Sequence, residues 1–368
     1  MGWRLLALVL LLLHPDSFDE PGMASLPIIS EVHAAPAKPV PVVKASHKAW
    51  SFAVLSDIHA PNDGHMWPTI DNTVAALVAM HVRAVVITGD FTNGALTDGP
   101  ARVANAAKLW KAIRAALSPL RAAGIAVLPV AGNHDSYLPG HRALYAKAFT
   151  DLADWARPFK IHGHGDGVSL VGPPFSYGVD IDDVHLTLAH LVDRRSHPDI
   201  ESWIAADLDG AKSAKLRFVF GHVPIASIAV DTSAGYLTRL GAIFTRGHAD
   251  VAVFGHEHLV WDENIALPGG GSIREVLVGC TSGFYNYGPS KPSMKRAHCA
   301  PTSYGGHADA QRCTMPNGGG VFVLAHGRKG RLLQHARATF TIFNVDGAHV
   351  SATPMTLDAK GHPIPFYL

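Results

Sequence analysis

The chain has 368 residues, 48% of them hydrophobic and 17% charged, with 31 Lys and Arg against 30 Asp and Glu. That balance excludes a disordered or fibrous polymer and leaves ample apolar sequence for a large folded core. A net charge of +1 gives no sign of the basic surface that nucleic-acid binders carry.

At the start of the chain, Arg4 precedes nine unbroken apolar residues, 5–13, followed by polar and Pro-containing sequence and by Val32-His33-Ala34. The small residues there suit signal peptidase, and nine apolar residues are too few to span a bilayer. The competing reading is a short buried helix. The reading adopted is a signal peptide over residues 1–34, export to the periplasm or the medium, and no integral membrane span after its removal. Loss of that segment takes one base and four acids from the chain, leaving +4. Residues 35–48, with Pro36, Pro39 and Pro41, read as an extended linker, and residues 49–368 as one catalytic domain.

Within that domain, strand-like and helix-like stretches alternate, which predicts a layered α/β fold. Helical spacing covers residues 68–81, 101–123, 141–155 and 199–211, and Gly124 sits where helices often end. Strands are expected at 83–87, at 125–130 with Pro129 near the end, at 275–280, and as a pair within 176–191 that turns near Asp182-Asp183. Residues 162–167 break regular structure. Residues 281–320, rich in Gly, Pro, Ser and Asn, read as a long irregular loop, and loops of that length are usually functional. Strands at 320–324, 338–344 and 349–356 then form an antiparallel set around the Asp346-Gly347 turn. Three cysteines occur, without zinc-ribbon spacing. In an exported chain, Cys299 and Cys313 would close a loop for which a disulfide contributes roughly 3 kcal/mol, and Cys280 reads as a buried strand-end thiol.

Five apolar runs are each followed by a cluster of metal-ligating residue types. Phe52-Ala53-Val54-Leu55 leads to Asp57-Ile58-His59, and Val85-Val86-Ile87 to Gly89-Asp90. Ile125-Ala126-Val127-Leu128 leads to Gly132-Asn133-His134-Asp135, Phe218-Val219-Phe220 to Gly221-His222, and Val251-Ala252-Val253-Phe254 to Gly255-His256-Glu257-His258. Such runs read as buried strands, so each cluster falls at a strand's carboxyl end, the edge where open α/β sheets place ligands. A Gly-His pair or an Asp-x-His alone is more often an ordinary turn; it is the order and strand context of all five that point to metal. In an extended segment, residues i and i+2 face one way, so Asp57 with His59, and His256 with His258, would each reach one site.

The set resembles the calcineurin-like metallophosphoesterases, whose signature runs D-x-H, G-D-x-x-[ND], G-N-H-[DE], G-H and G-H-x-H. The resemblance covers about two hundred residues, from Asp57 to His258. It implies an α/β/β/α fold: a layered β-sandwich flanked by helices, with metals at the carboxyl ends of the strands. It also implies that Asp57, His59, Asp90 and His258 hold one ion, and Asp90, Asn133, His222 and His256 the other, with Asp90 bridging. With carboxylate, amide and imidazole ligands, the ions would be two divalent or mixed-valence transition metals, Fe, Mn, Zn or Co. A hydroxide bridging two ions about 3.5–4 Å apart would attack phosphorus. His134 would protonate or stabilise the leaving oxygen, and Asp135 would orient His134. Purple acid phosphatases carry a Tyr three residues after the bridging Asp; Asn93 stands there in this chain, so no tyrosinate–iron colour is expected.

The expected activity is therefore that of a metal-dependent phosphoric ester hydrolase, most simply a phosphatase on small phosphomonoesters. A phosphodiesterase for cyclic nucleotides, nucleic-acid ends or glycerophosphodiesters is the alternative, and a non-catalytic metal-binding relative a lesser one. A zinc peptidase is disfavoured because His-Glu-x-x-His is absent. Substrate contacts are expected from loops at 93–99 and 162–167, from Arg194 and Arg195, and from 281–320 with Tyr285 and Tyr287. Arg194 or Arg195 would grip phosphate or else lie in a solvated turn. His162, His164 and His197 read as surface or cleft residues.

Overall fold

A computed structural model describes residues 49–61, 66–94, 100–163, 169–226, 234–258, 260–268, 270–282, 298–301, 310–314, 320–324 and 338–366, the three stretches within 298–324 as backbone. The signal peptide, linker, His164, Tyr285 and Tyr287 lie outside the described residues.

The first sheet forms around β1 (Trp50–Leu55), β2 (Ala84–Ile87) and β3 (Ala126–Pro129), parallel strands whose inner residues are fully buried. Full burial on both faces explains why they read as unbroken Val, Ile, Ala and Leu runs instead of alternating. Their crossovers are α1 (Pro68–Ala79) and α2 (Pro100–Ala122), and α2 closes at Gly124 in a left-handed conformation, φ +75°. The chain next folds as three short helices, α3 (Asn133–Ser136), α4 (Pro139–Ala148) and α5 (Leu152–Trp155). The single helix expected over 141–155 is thus broken. Arg114 of α2 donates to the Ala148 carbonyl at the end of α4 and, at 2.9 Å from each of two nitrogens, to the Asp151 carboxylate. Those contacts satisfy the helix end and hold the break.

The second sheet begins with β4 (Ile161–His162), so His162 lies in a short edge strand and not in an irregular break. It continues through β5 (Tyr177–Ile181) and β6 (Val184–Leu188), the pair expected to turn at Asp182. Helix α6 (Pro198–Gly210) leads to β7 (Leu216–Phe220), and α7 (Ala234–Arg246) to β8 (Val251–Phe254); β9 (Val260–Ala266) and β10 (Ser272–Val278) complete this sheet in the order β4-β5-β6-β7-β8-β10-β9. Sequence reading did not anticipate α7 or β9.

The C-terminal region departs from expectation. The stretch 281–320 is not irregular throughout: it carries β11 (His298–Pro301) and β12 (Ala310–Thr314), which with β13 (Gly320–Leu324) form a separate antiparallel sheet. Strand β13 therefore does not join the later strands as expected. Cys299 faces Cys313 in the β11–β12 register, while the disulfide expected there rests on side chains outside the described residues. Strands β14 (Thr339–Asp346) and β15 (His349–Leu357), hinged at Gly347 (φ +61°), return with β16 (Pro363–Pro365) to the first sheet, giving β16-β15-β14-β1-β2-β3.

The two sheets pack face to face through aromatic rings. Phe52 of β1 stacks on Phe343 of β14 at 4.9 Å between centroids, and both meet Phe218 of β7 edge-on, at 5.4 and 5.8 Å. Such pairs add about 0.5–1.5 kcal/mol beyond the area they bury. Outside the first sheet, Phe91, Trp110, Tyr145 and Phe149 seal α2 and α4 onto it. Outside the second, Ile200, Ile204 and Leu208 of α6 and Leu240 and Phe244 of α7 cover Val219, Ala252 and Phe254. The result is the expected α/β/β/α order of layers.

Candidate metal centre

The carboxyl ends of β1, β2 and β3 in one sheet and of β7 and β8 in the other converge at one rim, so the ligand-type clusters meet across two sheets and not along one edge. Backbone bonds extend the strand pairing into the loops that carry them. Asp57 N donates to Gly89 O at 3.0 Å, His59 N to Asp90 O at 2.8 Å, and Ala60 N to Phe91 O at 2.9 Å. In the other sheet, Gly255 N donates to His222 O at 3.1 Å.

These residues are not extended. Asp57, His59, Asp90, His256 and His258 have φ of 53°, 43°, 54°, 67° and 52°, the left-handed region that L residues seldom adopt. The i, i+2 argument for a shared direction is therefore replaced by a different geometry: each residue turns its side chain inward from a tight left-handed corner. Backbone strain of about 1–3 kcal/mol per residue persists only where the surroundings over-determine it, and it clusters at functional sites. Gly89 sits beside them with φ +100°, and a Cβ on it would lie 2.6 Å from Gly132 Cα.

All seven residues expected as ligands come together, five of them buried and Asn133 and His256 half-buried. Asp57 Oδ1 lies 3.1 Å from His258 Nε2 and 3.6 Å from His59 Nε2, and the two imidazole nitrogens are 3.1 Å apart. Asn133 Oδ1 lies 2.9 Å from His222 Nε2 and 3.0 Å from His256 Nδ1. Asp90 Oδ2 stands between the two groups, 3.1 Å from His222 Nε2 and 3.8 Å from His59 Nε2.

The same side chains fit a pair of cations. Each carboxylate has one oxygen tied down by the protein. Asp57 Oδ2 accepts from Ser56 Oγ at 2.6 Å and from His256 N at 3.0 Å, while Asp90 Oδ1 accepts from His134 N at 2.9 Å. The other oxygen of each faces the imidazoles, and Asp57 Oδ1, fully buried, makes no oriented hydrogen bond at all. An orphaned buried carboxylate oxygen surrounded by imidazole nitrogens is costly unless a cation occupies their common focus. His222 Nδ1 donates to Thr88 O at 2.7 Å, which leaves the neutral ring's lone pair on Nε2, pointing inward. Cys280 Sγ, the buried thiol expected at a strand end, donates to Asp57 O at 3.2 Å and lies 3.1 Å from Ser282 Oγ.

Electrostatics without metal show how strongly these groups are coupled. Burial alone would raise the Asp90 carboxyl, but the imidazoles of His222, His134 and His59 hold it far below the usual carboxylate range. Burial would lower His222, and the Asp90 carboxylate instead raises it to about 9. Burial and the His222 charge push His256 down to about 3. Protons shared among these groups stand where cations would neutralise the same carboxylates.

The two residues expected to be catalytic separate. His134 is about a third exposed, with Nε2 3.9 Å from Asp90 Oδ2 and its ring edge-on to His59. Asp135 does not orient it. The Asp135 carboxylate is buried and accepts from Phe91 N at 3.1 Å, Thr92 N at 3.1 Å and Gly132 N at 3.0 Å. Its role is to fasten the loop after β2 to the loop after β3. Burial and the Asp90 charge push it up to about 6. The group holding His134 is the Asn93 carbonyl, which accepts from Nδ1. A backbone carbonyl carries no sequence signal, so reading the chain could not single it out; Asn93 was expected, with the loop 93–99, to touch substrate.

Of the remaining candidates, His162 pairs with Asp180 at 2.8 Å and His197 with Asp193 at 2.8 Å, consistent with surface roles. Arg195 is engaged by Asp193 at 2.6 Å and lies over the Tyr137 ring. Arg194 instead points at Glu257, which stands between His256 and His258; Nη2 lies 3.8 Å from Oε1. Among the described residues, no helix is long and apolar enough to cross a membrane.

No curated protein matches the chain. Among solved structures, the purple acid phosphatase PPD1 from yellow lupin (Lupinus luteus) seeds is 13% identical over 85% of this chain and 52% of its own, with a TM-score of 0.52. This chain therefore spans about half the length of the lupin protein, and at that identity the likeness is one of fold. GAP50, the anchor in the inner membrane complex of Plasmodium, is 13% identical over 84% of each chain, with a TM-score of 0.49. A 5'-nucleotidase from Candida albicans is 13% identical over 85% of this chain and 53% of its own, with a TM-score of 0.42. The family model described as calcineurin-like phosphoesterase matches residues 51–260, which hold all five ligand-type clusters. The chain belongs to the calcineurin-like phosphoesterases, a family of metal-dependent phosphoester hydrolases.

Proposed function

We propose that this protein is an exported hydrolase of small phosphomonoesters, with a dinuclear centre held by Asp57, His59, Asp90, Asn133, His222, His256 and His258. The observation that carries the reading is the convergence of those seven side chains with Asp57 Oδ1 and Asp90 Oδ2 left facing the imidazoles. Bound there, two transition-metal ions supply Lewis acidity toward the phosphoryl group and lower the pKa of water. His134 acts on the leaving group. Because Nδ1 is committed to the Asn93 carbonyl, the proton given to the leaving oxygen departs from Nε2, the nitrogen nearer Asp90. Export is supported by Arg4, the apolar run 5–13 and Val32-His33-Ala34.

The test is hydrolysis of p-nitrophenyl phosphate and bis-p-nitrophenyl phosphate after loading with manganese, zinc or iron, beside Asp90→Asn. Faster monoester turnover that disappears in the variant is expected. Preference for the diester would replace the reading with a phosphodiesterase, and no turnover with any metal by a folded, metal-loaded protein would overturn it. N-terminal sequencing of protein recovered outside the cytoplasm is expected to begin at Ala35.

A further inference from the structure

Asn133 and His256 form one wall of a cleft of about 330 Å³, and His134, Tyr137 and Arg194 line the same space. Arg194 follows β6, in the turn after Val192, and is the one arginine of the Arg194-Arg195 pair not consumed by Asp193. Its side chain is 21% exposed, yet Nε and Nη2 are buried without a hydrogen-bond acceptor. That edge faces Glu257, whose side chain is 1% exposed, across 3.8 Å. The distance is too long for a hydrogen bond and short enough for the two charges to hold each other. Because the guanidinium is flat and rigid, fixing one edge against Glu257 fixes the direction of the other end, and Nη1 is the nitrogen left to the cleft.

A guanidinium is costly to bury with donors unmatched. Here it stands beside the metal-ligand wall, in a cleft that Asp193 also lines, whose carboxylate is already matched by Arg195 at 2.6 Å and His197 at 2.8 Å. Arg194 is the one arginine or lysine among the described residues lining the cleft, and its planar fork matches two oxygens of a phosphoryl group. We propose that Arg194, held by Glu257, is the site's second anion-binding group: it donates to a non-bridging phosphoryl oxygen and so selects dianionic phosphomonoesters over monoanionic diesters. This deepens the phosphoesterase reading and rests on it for the identity of the substrate.

The experiment measures two things in the metal-loaded protein and in Arg194→Ala, Arg194→Lys and Glu257→Gln: binding of inorganic phosphate by calorimetry, and kcat/KM for p-nitrophenyl phosphate and its bis ester. Metal content and thermal midpoint are recorded for each. Loss of a charge-assisted contact predicts phosphate binding weaker by roughly 10- to 100-fold in Arg194→Ala, with metal content retained. The monoester-to-diester ratio falls by about tenfold or more. If Arg194→Ala does not fold, Arg194→Lys keeps the charge against Glu257 but loses the fork, and phosphate binding is expected to weaken several-fold. Glu257→Gln, with metal retained, is expected to weaken phosphate binding in the same direction. Phosphate affinity and ester ratio within twofold of the parent protein in Arg194→Ala or Arg194→Lys overturn the proposal, as does failure of phosphate to bind the parent protein. If the parent hydrolyses neither ester but binds phosphate in an Arg194-dependent way, the phosphoesterase reading fails while the anion site stands.

Discussion

Glu275→Gln reports on a buried ionisable group that sits behind the rim where the ligand-type residues meet. Glu275 lies on β10, fully buried, and its Oε2 accepts from Ile225 N at 3.0 Å and Ala226 N at 3.1 Å. It thereby holds the loop that leaves His222. Burial, with a further push from the Glu257 charge, raises its pKa from 4.5 to about 8 against the pull of those two amides. The folded state therefore binds this proton more tightly than the unfolded chain. The stability it confers is complete below pH 4.5 and is lost as pH rises toward 8. At 1.36 kcal/mol per unit, the ionisable group costs about 3 kcal/mol by pH 7. Glutamine keeps a carbonyl oxygen for both amides and has no proton to lose. Urea unfolding of parent and variant between pH 5.5 and 7.5, both stripped of metal by chelator, is expected to show the parent losing roughly 2.5 kcal/mol more than the variant across that range. Parallel curves would refute the argument and mean that water reaches the carboxylate or that an unseen partner neutralises it.

Gly132→Ala puts a methyl group onto the Asp90 carboxylate and amide, so bound metal measured by mass spectrometry is expected to fall at least tenfold; full metal content would show that the Asp90 corner can yield. His134→Ala is expected to lower kcat by about 10²- to 10⁴-fold with metal content retained, since in the proposed reaction the residue works on the leaving group; an unchanged kcat would remove it from the mechanism. Cys280→Ala deletes the hydrogen bond that holds the Asp57 carbonyl and is expected to weaken metal binding by about tenfold in competition with a chelating dye, while Cys280→Ser retains most of it. Equal affinities in both variants would make the thiol a packing group only.

The amino-acid sequence by itself determined the strands and the ligand types at their ends. Burial on both faces forces unbroken apolar runs in β1, β2, β3, β7 and β8, and a polar residue directly after such a run can only emerge at the rim. For the same reason the helices α1, α2 and α6 were legible, because each has a long apolar stripe and a clear stop. Local pattern gave out where contacts between distant residues decide. Arg114 breaks the 141–155 helix from 34 to 37 residues away. Thr281 receives the Ser56 amide across 225 residues, tying the edge of one sheet to the chain leaving the other. The left-handed corners at Asp57, His59, Asp90, His256 and His258 oppose the intrinsic preference of those residues, and only the surrounding hydrogen bonds make them the lower-energy choice. Asp135 and Glu257 followed the same logic: Asp135 was expected to orient His134, the sequence offered no partner for Glu257, and each carboxylate faces a group from another element. What tertiary structure alone decided is therefore where each side chain's charge and hydrogen-bonding capacity is used. That choice depends on which groups are buried together in three dimensions, and short-range spacing carries no record of it.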